Sequence, residues 1–170
     1  MKLRPFCVLA FAVTCLQGHA EESSFIRLPS EGREDVSLTF RHHEVMASFV
    51  IRKLEITQDD VSTAGERLLP GCTYSRDPCS KVDRISIKID GRPIFIAPSV
   101  FLDLSDLDTA ELKRYGSSFT LLLSGGDASE SYKVKIVFNS DMVERRILFS
   151  ALEPKNPVQE TRYRMAILRD

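Results

Sequence analysis

The chain contains no tryptophan, and only 8% of its residues are aromatic. Sugar rings are commonly held on aromatic platforms, so a lectin function finds little support. Histidine is scarce: there are three, His19 in the N-terminal segment and the neighbours His42 and His43. Neighbours on a strand point to opposite faces, which keeps these two from ligating one metal ion. With four cysteines in 170 residues, the chain has no dense disulfide framework. It has no C-x-x-C redox pair, no P-loop lysine after a glycine run and no G-x-S-x-G elbow. No period repeats along it, so a solenoid or propeller is excluded. The formal charge of −1 lacks the basic excess of a nucleic-acid binder.

What is present begins with a leader. Met1-Lys2-Leu3-Arg4 is a short basic start, and Phe6 to Leu16 is an apolar run of signal-peptide length. Gly18-His19-Ala20 places small residues at −3 and −1 of a cleavage point before Glu21. The run is shorter than the roughly 20 apolar residues that span a bilayer. Ala12-Val13-Thr14 before Cys15 is a poor lipid-attachment motif. The expectation is an exported protein, periplasmic or secreted, with residues 1–20 a signal peptide. Loss of Lys2 and Arg4 leaves 21 Lys+Arg against 24 Asp+Glu, a formal −3. No second long apolar stretch follows that would anchor the mature chain in a membrane.

Trimming also removes Cys7 and Cys15, leaving Cys72 and Cys79. They lie in Pro70-Gly71-Cys72-Thr73-Tyr74-Ser75-Arg76-Asp77-Pro78-Cys79, a loop by its prolines and glycine. Two thiols at this spacing in an oxidising compartment predict a structural disulfide rather than a metal site.

Residues 21–35 read as a flexible, polar lead-in to a single β domain over 36–170. Val36, Leu38 and Phe40 alternate with polar residues, as in a half-buried strand. Glu44–Thr57 is a second strand whose apolar phase switches at Arg52-Lys53, which predicts a β-bulge. Gln58–Ser80 is a long connection. Arg84–Ile96 reads as a hairpin turning at Asp90-Gly91, with Pro93 at an edge. Asp108-Thr109-Ala110-Glu111 resembles a capping box, and Gly116 stands where a C-terminal cap would, predicting a short helix over Thr109–Tyr115. Phe119–Leu123, Ser131–Phe138, Val143–Phe149 and Thr161–Leu168 read as strands, the last with Tyr163, Met165 and Ile167 on one face. Glu153–Val158 reads as a loop. The fold expected is a mainly β antiparallel sandwich or barrel of about seven to eight strands with one short helix.

Several segments could carry chemistry. Gly125, Gly126, Asp127 and Ser129 form a polar loop that could hold a sugar, phosphate or cation, and that also reads as a hairpin turn. Asp103, Asp106, Asp108 and Glu111 are hard ligands without EF-hand spacing; Asp108 and Glu111 read as helix caps. One of Arg145 and Arg146 must share the face of Val143, Ile147 and Phe149, and a buried Arg needs a carboxylate or carbonyl. That predicts a buried ion pair, with an anion site in a cleft as the functional counterpart. Ser131–Asp170 carries eight Lys+Arg against five Asp+Glu. Lys133, Lys135, Arg162 and Arg164 lie on the polar faces of their strands and form a basic stripe if those strands are neighbours. Such a stripe suits an acidic protein or an anionic envelope polymer.

The expected function is therefore non-enzymatic protein interaction outside the cytoplasm, of inhibitor, immunity or envelope-accessory type. A module binding an envelope polymer or small ligand is the alternative, and a small envelope hydrolase the third reading. No cofactor, metal or nucleic acid is expected.

Overall fold

A computed structural model describes residues 22–54, 72–73, 76, 78–116 and 118–165. The expected leader, most of the Gln58–Ser80 connection and the end of the last expected strand lie outside the described residues. The chain forms β1 (Ser23–Arg27), β2 (Gly32–Phe40), β3 (His43–Leu54), β4 (Cys79–Ile89) and β5 (Arg92–Pro93). A 3₁₀ turn at Pro98–Val100 leads into β6 (Leu107–Tyr115) and β7 (Ser118–Gly125). After a second 3₁₀ turn at Ala128–Glu130 come β8 (Tyr132–Phe138), β9 (Val143–Ser150) and β10 (Pro157–Arg162).

The strands make two antiparallel sheets, one of six strands in the order β1-β6-β7-β8-β9-β10 and one of four in the order β2-β3-β4-β5. Among the described residues both sheets keep free edges, so the fold is sandwich-like and not a closed barrel. The chain changes sheet twice, between β1 and β2 and again between β5 and β6.

Alternation builds the core. Val36, Leu38 and Phe40 of β2 face inward, as do Val45, Ala47, Phe49 and Ile51 of β3. They meet Leu112, Leu121, Leu123, Val134, Ile136 and Phe138 from the larger sheet in one apolar cluster. Each such Val, Leu, Ile or Phe side chain contributes about 1.5–3 kcal/mol when fully buried. Val100, Phe101 and Leu104 of the loop before β6 join that cluster.

The Asp90-Gly91 hairpin is confirmed. Asp90 (φ 52°) and Gly91 (φ 77°) both take positive φ, as a tight two-residue turn requires. Pro93 ends a two-residue edge strand.

Four expectations change. Thr109–Tyr115 is strand, not helix. Ala110 and Leu112 are buried at period two, and β6 pairs with β1 on one side and β7 on the other. Two ladders and a buried face override the local capping signal. Gly116 (φ 62°) serves a hairpin turn instead of a helix end. The expected lead-in contains β1 and the start of β2, because β6 offers Ser23–Arg27 an open edge. The bulge lies in β4 rather than β3: the register passes from Val50↔Arg84 to Ile51↔Val82, leaving Asp83 as the extra residue. Asp83 meets Arg52 Nε at 2.6 Å. Finally, the last strand begins at Pro157, inside the expected loop. A proline there opens an edge strand without removing a ladder bond.

Candidate functional site

Residues directly opposite each other on antiparallel strands share a face. One row across the larger sheet runs Phe25, Glu111, Leu122, Lys135, Ile147, Glu160. Flanking rows place Lys133 beside Phe149, and Val137 beside Arg145 and Arg162. These positions alternate with the buried Leu121, Leu123, Val134 and Ile136, so they form the outer face of the sheet.

This face has an apolar centre and a charged surround in which Lys133, Lys135, Arg145 and Arg162 outnumber Glu111 and Glu160. Ile147 is only 8% exposed yet stands outside the core cluster. Lys135 and Glu160 flank it across the strands, and Arg145 and Phe149 along its own. Long charged side chains cover apolar surface with their stems while their heads stay in water. Leu122, Val137 and Phe149 are half-buried.

The expected stripe is changed in composition. β8 and β10 are not neighbours, since β9 lies between them and contributes Arg145. Glu160 accepts from Arg162 Nε at 2.9 Å and stands 3.8 Å from Arg145 Nη1. Among the described residues Lys133 and Lys135 have no ion-pair partner. Arg164 is exposed beyond the end of β10, apart from the register that orders the rest. Arg145 was legible only as half of an Arg-Arg pair, because its face depends on a β9 bulge at Glu144 that the sequence does not mark.

That bulge turns Arg146 inward. Its side chain is 2% exposed, and Nη2 donates to Asp103 Oδ2 at 2.7 Å. The ion pair expected of the Arg-Arg pair is there, with its arginine buried and its carboxylate half exposed.

Arg146 belongs to one end of the sandwich, where polar groups are concentrated. Cys72 and Cys79 are bridged. Asp106, 2% exposed, accepts from the backbone N–H groups of Thr73 and Ser80, both at 2.8 Å, and from Ser80 Oγ at 3.2 Å. Arg76 donates to both Asp108 oxygens, at 2.8 and 3.0 Å, and this pairing raises its pKa. The Gly125–Ser129 loop is tied into the same end. Gly126 O accepts from Arg76, Gly126 N donates to Asp106 O, and Asp127 Oδ1 accepts from Ala128 N. A Cβ on Gly126 (φ 77°) would collide with the Glu130 carbonyl, which explains the glycine. Ser129 is exposed. The four carboxylates read together in the sequence thus go separate ways: Asp103 to Arg146, Asp106 to backbone donors, Asp108 to Arg76, Glu111 to Lys113. Asp108 and Glu111 cap no helix. Among the described residues no group of three His, Cys, Asp or Glu is placed to hold a metal ion.

The opposite end is aromatic. Phe40, Phe119 and Phe138 form a chain with centroids 5.5 Å apart, and the Arg114 guanidinium lies 4.3 Å over the Phe40 ring. On the rim of a cleft of about 650 Å³, His43 Nδ1 and Asp90 Oδ2 are 2.7 Å apart. The hydrogen bond from His43, followed by that from the Glu44 N–H, holds the Asp90 carboxyl below its ordinary pKa. This pair escaped sequence reading because Asp90 was fully explained as a turn residue.

No protein-family model, curated protein or solved structure matches this chain.

Proposed function

We propose that the chain is an exported, non-enzymatic β-sandwich protein that binds an acidic partner protein through the outer face of its six-stranded sheet. The observation that carries this reading is the composition of that face: Ile147, Leu122 and Phe149 at its centre, with Lys133, Lys135, Arg145 and Arg162 around them. Protein interfaces have this anatomy, an apolar centre inside a polar rim in which Arg is enriched. The basic rim selects an acidic surface and steers its approach. The apolar centre favours a protein over a purely anionic envelope polymer, which would leave Phe149 and Leu122 unused. Export rests on the Met1–Ala20 leader, and the Cys72–Cys79 bridge suits an oxidising compartment. A role of inhibitor, immunity or envelope-accessory type fits a protein of this size and compartment.

The test is to capture partners from cell-envelope extract with the mature protein, then titrate the identified partner against a Lys133→Glu/Lys135→Glu variant. Association should slow by about tenfold at low salt, and the wild-type advantage should shrink as salt rises. Phe149→Ala should act instead on dissociation. Thermal stability of the charge variant should hardly move, because exposed charges contribute little to it. Equal affinities of wild type and charge variant at both salts would retire this face.

A further inference from the structure

An arginine between Val143 and Leu148 is an odd choice for the inward face of a strand. The guanidinium keeps its charge at any pH of interest, so burial obliges it to find an anion. Arg146 has found only part of one. Its Nε and Nη2 form one edge, spaced to take both oxygens of a carboxylate. Asp103 bonds Nη2 alone, and Nε has no hydrogen-bond partner among the described residues. Nη1 makes one long contact, 3.4 Å, to Gln159 Oε1. An unmade hydrogen bond from a buried charged donor is costly, so this edge is incompletely satisfied. Asp103 is itself 54% exposed, a counterion that can swing into water.

Arg146 lines a cavity of about 360 Å³, within the size range of small-ligand sites. Leu104, Leu148 and the Cys72 arm of the disulfide supply apolar wall, and Tyr132 another. The Tyr132 hydroxyl is committed to the Ser105 backbone, accepting from its N–H and donating to its carbonyl. Burial raises the pKa of that phenol, so it stays neutral and adds no charge. Among the described residues the remaining polar lining is Thr73, Asp103 and Glu130. Two carboxylates on the lining disfavour a multiply charged anion such as phosphate, whereas one carboxylate on an apolar body meets the cation and the wall together.

We infer that this cavity binds a single carboxylate carried on an apolar group, with Arg146 as its anchor and Asp103 as the group it displaces. The carboxylate belongs either to a free medium-chain acid or to the C-terminus of an apolar peptide. The site is independent of the outer-face reading: Arg145 points to one side of β9 and Arg146 to the other, so either can fail without the other.

The experiment follows the Arg146 Nε–Hε resonance of ¹⁵N-labelled mature protein, together with thermal stability. The probes are octanoate, octanol, inorganic phosphate, and acetylated Leu-Leu-Leu with a free or an amidated end. Octanoate or the free-ended tripeptide is expected to shift the resonance and raise the melting temperature. Octanol, phosphate and the amidated tripeptide are expected to do neither. Which of the two carboxylates binds more tightly identifies the source. Asp103→Asn removes the internal competitor, so it should lose stability alone, bind the carboxylate about tenfold more tightly and be rescued by it. A purely structural ion pair predicts the loss without the rescue. Arg146→Gln should abolish binding; if it fails to fold, the wild-type resonance and the Asp103→Asn rescue still decide. No carboxylate-dependent shift in wild type or Asp103→Asn overturns the inference, as does equal stabilisation by octanol.

Discussion

The two ends of the sandwich are closed by different chemistry, although the same strands run between them. β8 enters at Tyr132, in the polar end, and leaves at Phe138, in the aromatic end. At the polar end Asp106, Arg146 and Ser105 are withdrawn from water, and a disulfide lies beside them. At the aromatic end three phenylalanines fill the interior, while His43 and Asp90 remain about half exposed. Buried polar groups must each find a partner or cost free energy, so the polar end is specified by individual hydrogen bonds. Apolar packing has no such directional demand, and its polar rim is free to vary. The contrast teaches where substitutions should hurt: polar ones at the first end, apolar ones at the second.

The largest effects test that contrast directly. Asp106→Ala strands the N–H groups of Thr73 and Ser80 and places a Cβ residue without a local hydrogen bond at φ 50°. It should cost about 3–5 kcal/mol, as much as Phe138→Ala at the other end. Urea unfolding at constant m-value measures both. Asp106→Asn tolerates the backbone conformation and keeps one acceptor, so its loss should be smaller. A cheap Asp106→Ala beside an expensive Phe138→Ala would break the comparison.

Next in size is the bridge. Replacing Cys72 and Cys79 with Ser should remove about 2–3 kcal/mol, the amount expected for so short a closed loop. Thr73, next to Cys72, donates to Asp106, and Ser80, next to Cys79, does the same. The bridge and the carboxylate therefore hold the same backbone. A double-mutant cycle between the cysteine pair and Asp106→Ala should show coupling of about 0.5–3 kcal/mol. Strict additivity would mean that the disulfide acts only on the unfolded chain.

The sequence disclosed these ends unequally. The disulfide, the Asp90-Gly91 turn and the inward faces of β2, β3 and β8 were legible because each is a local pattern of spacing or alternation. β6 was not, because its state is decided by β1 and β7, distant in sequence, while Asp108-x-x-Glu111 imitates a cap. β1 was hidden for the same reason: five largely polar residues become a strand only where another edge is waiting. At the candidate site, Lys133 and Lys135 were legible as the polar phase of β8. Arg145 and Arg146 were legible as a pair but not as individuals. One bulge at Glu144 decides which faces the partner surface and which the cavity, and a bulge leaves no reliable mark in composition.

At the aromatic end the polar rim should matter little. Arg114→Ala removes a guanidinium lying 4.3 Å over the Phe40 ring and should cost about 0.5–1 kcal/mol. Arg114→Lys keeps the charge but loses the flat stacking surface, and should fall between. A loss comparable with that of Phe138→Ala would show that the end is held by its cation rather than by its phenylalanines.

The smallest effect belongs to Asp90, and its pH dependence is its signature. Hydrogen bonds from His43 and from the Glu44 N–H lower the carboxyl pKa in the folded state. A depressed carboxylate contributes stability that is present above its unfolded pKa and is lost as pH falls through the folded one. Asp90→Asn is the suitable variant because Asn also accepts the positive φ of this turn. The wild type should therefore melt slightly above Asp90→Asn near neutral pH, and the gap should close below the carboxylate range. Thermal scans at about pH 7, 5 and 2.5 follow it. Because both partners are about half exposed, added salt should narrow the neutral-pH gap as well. A gap that survives at low pH would assign Asp90 to the turn alone, with His43 as a bystander. A gap larger than that of Arg114→Ala would mean that this rim, too, is held by specific polar bonds, and the two ends would then differ less in kind than in burial.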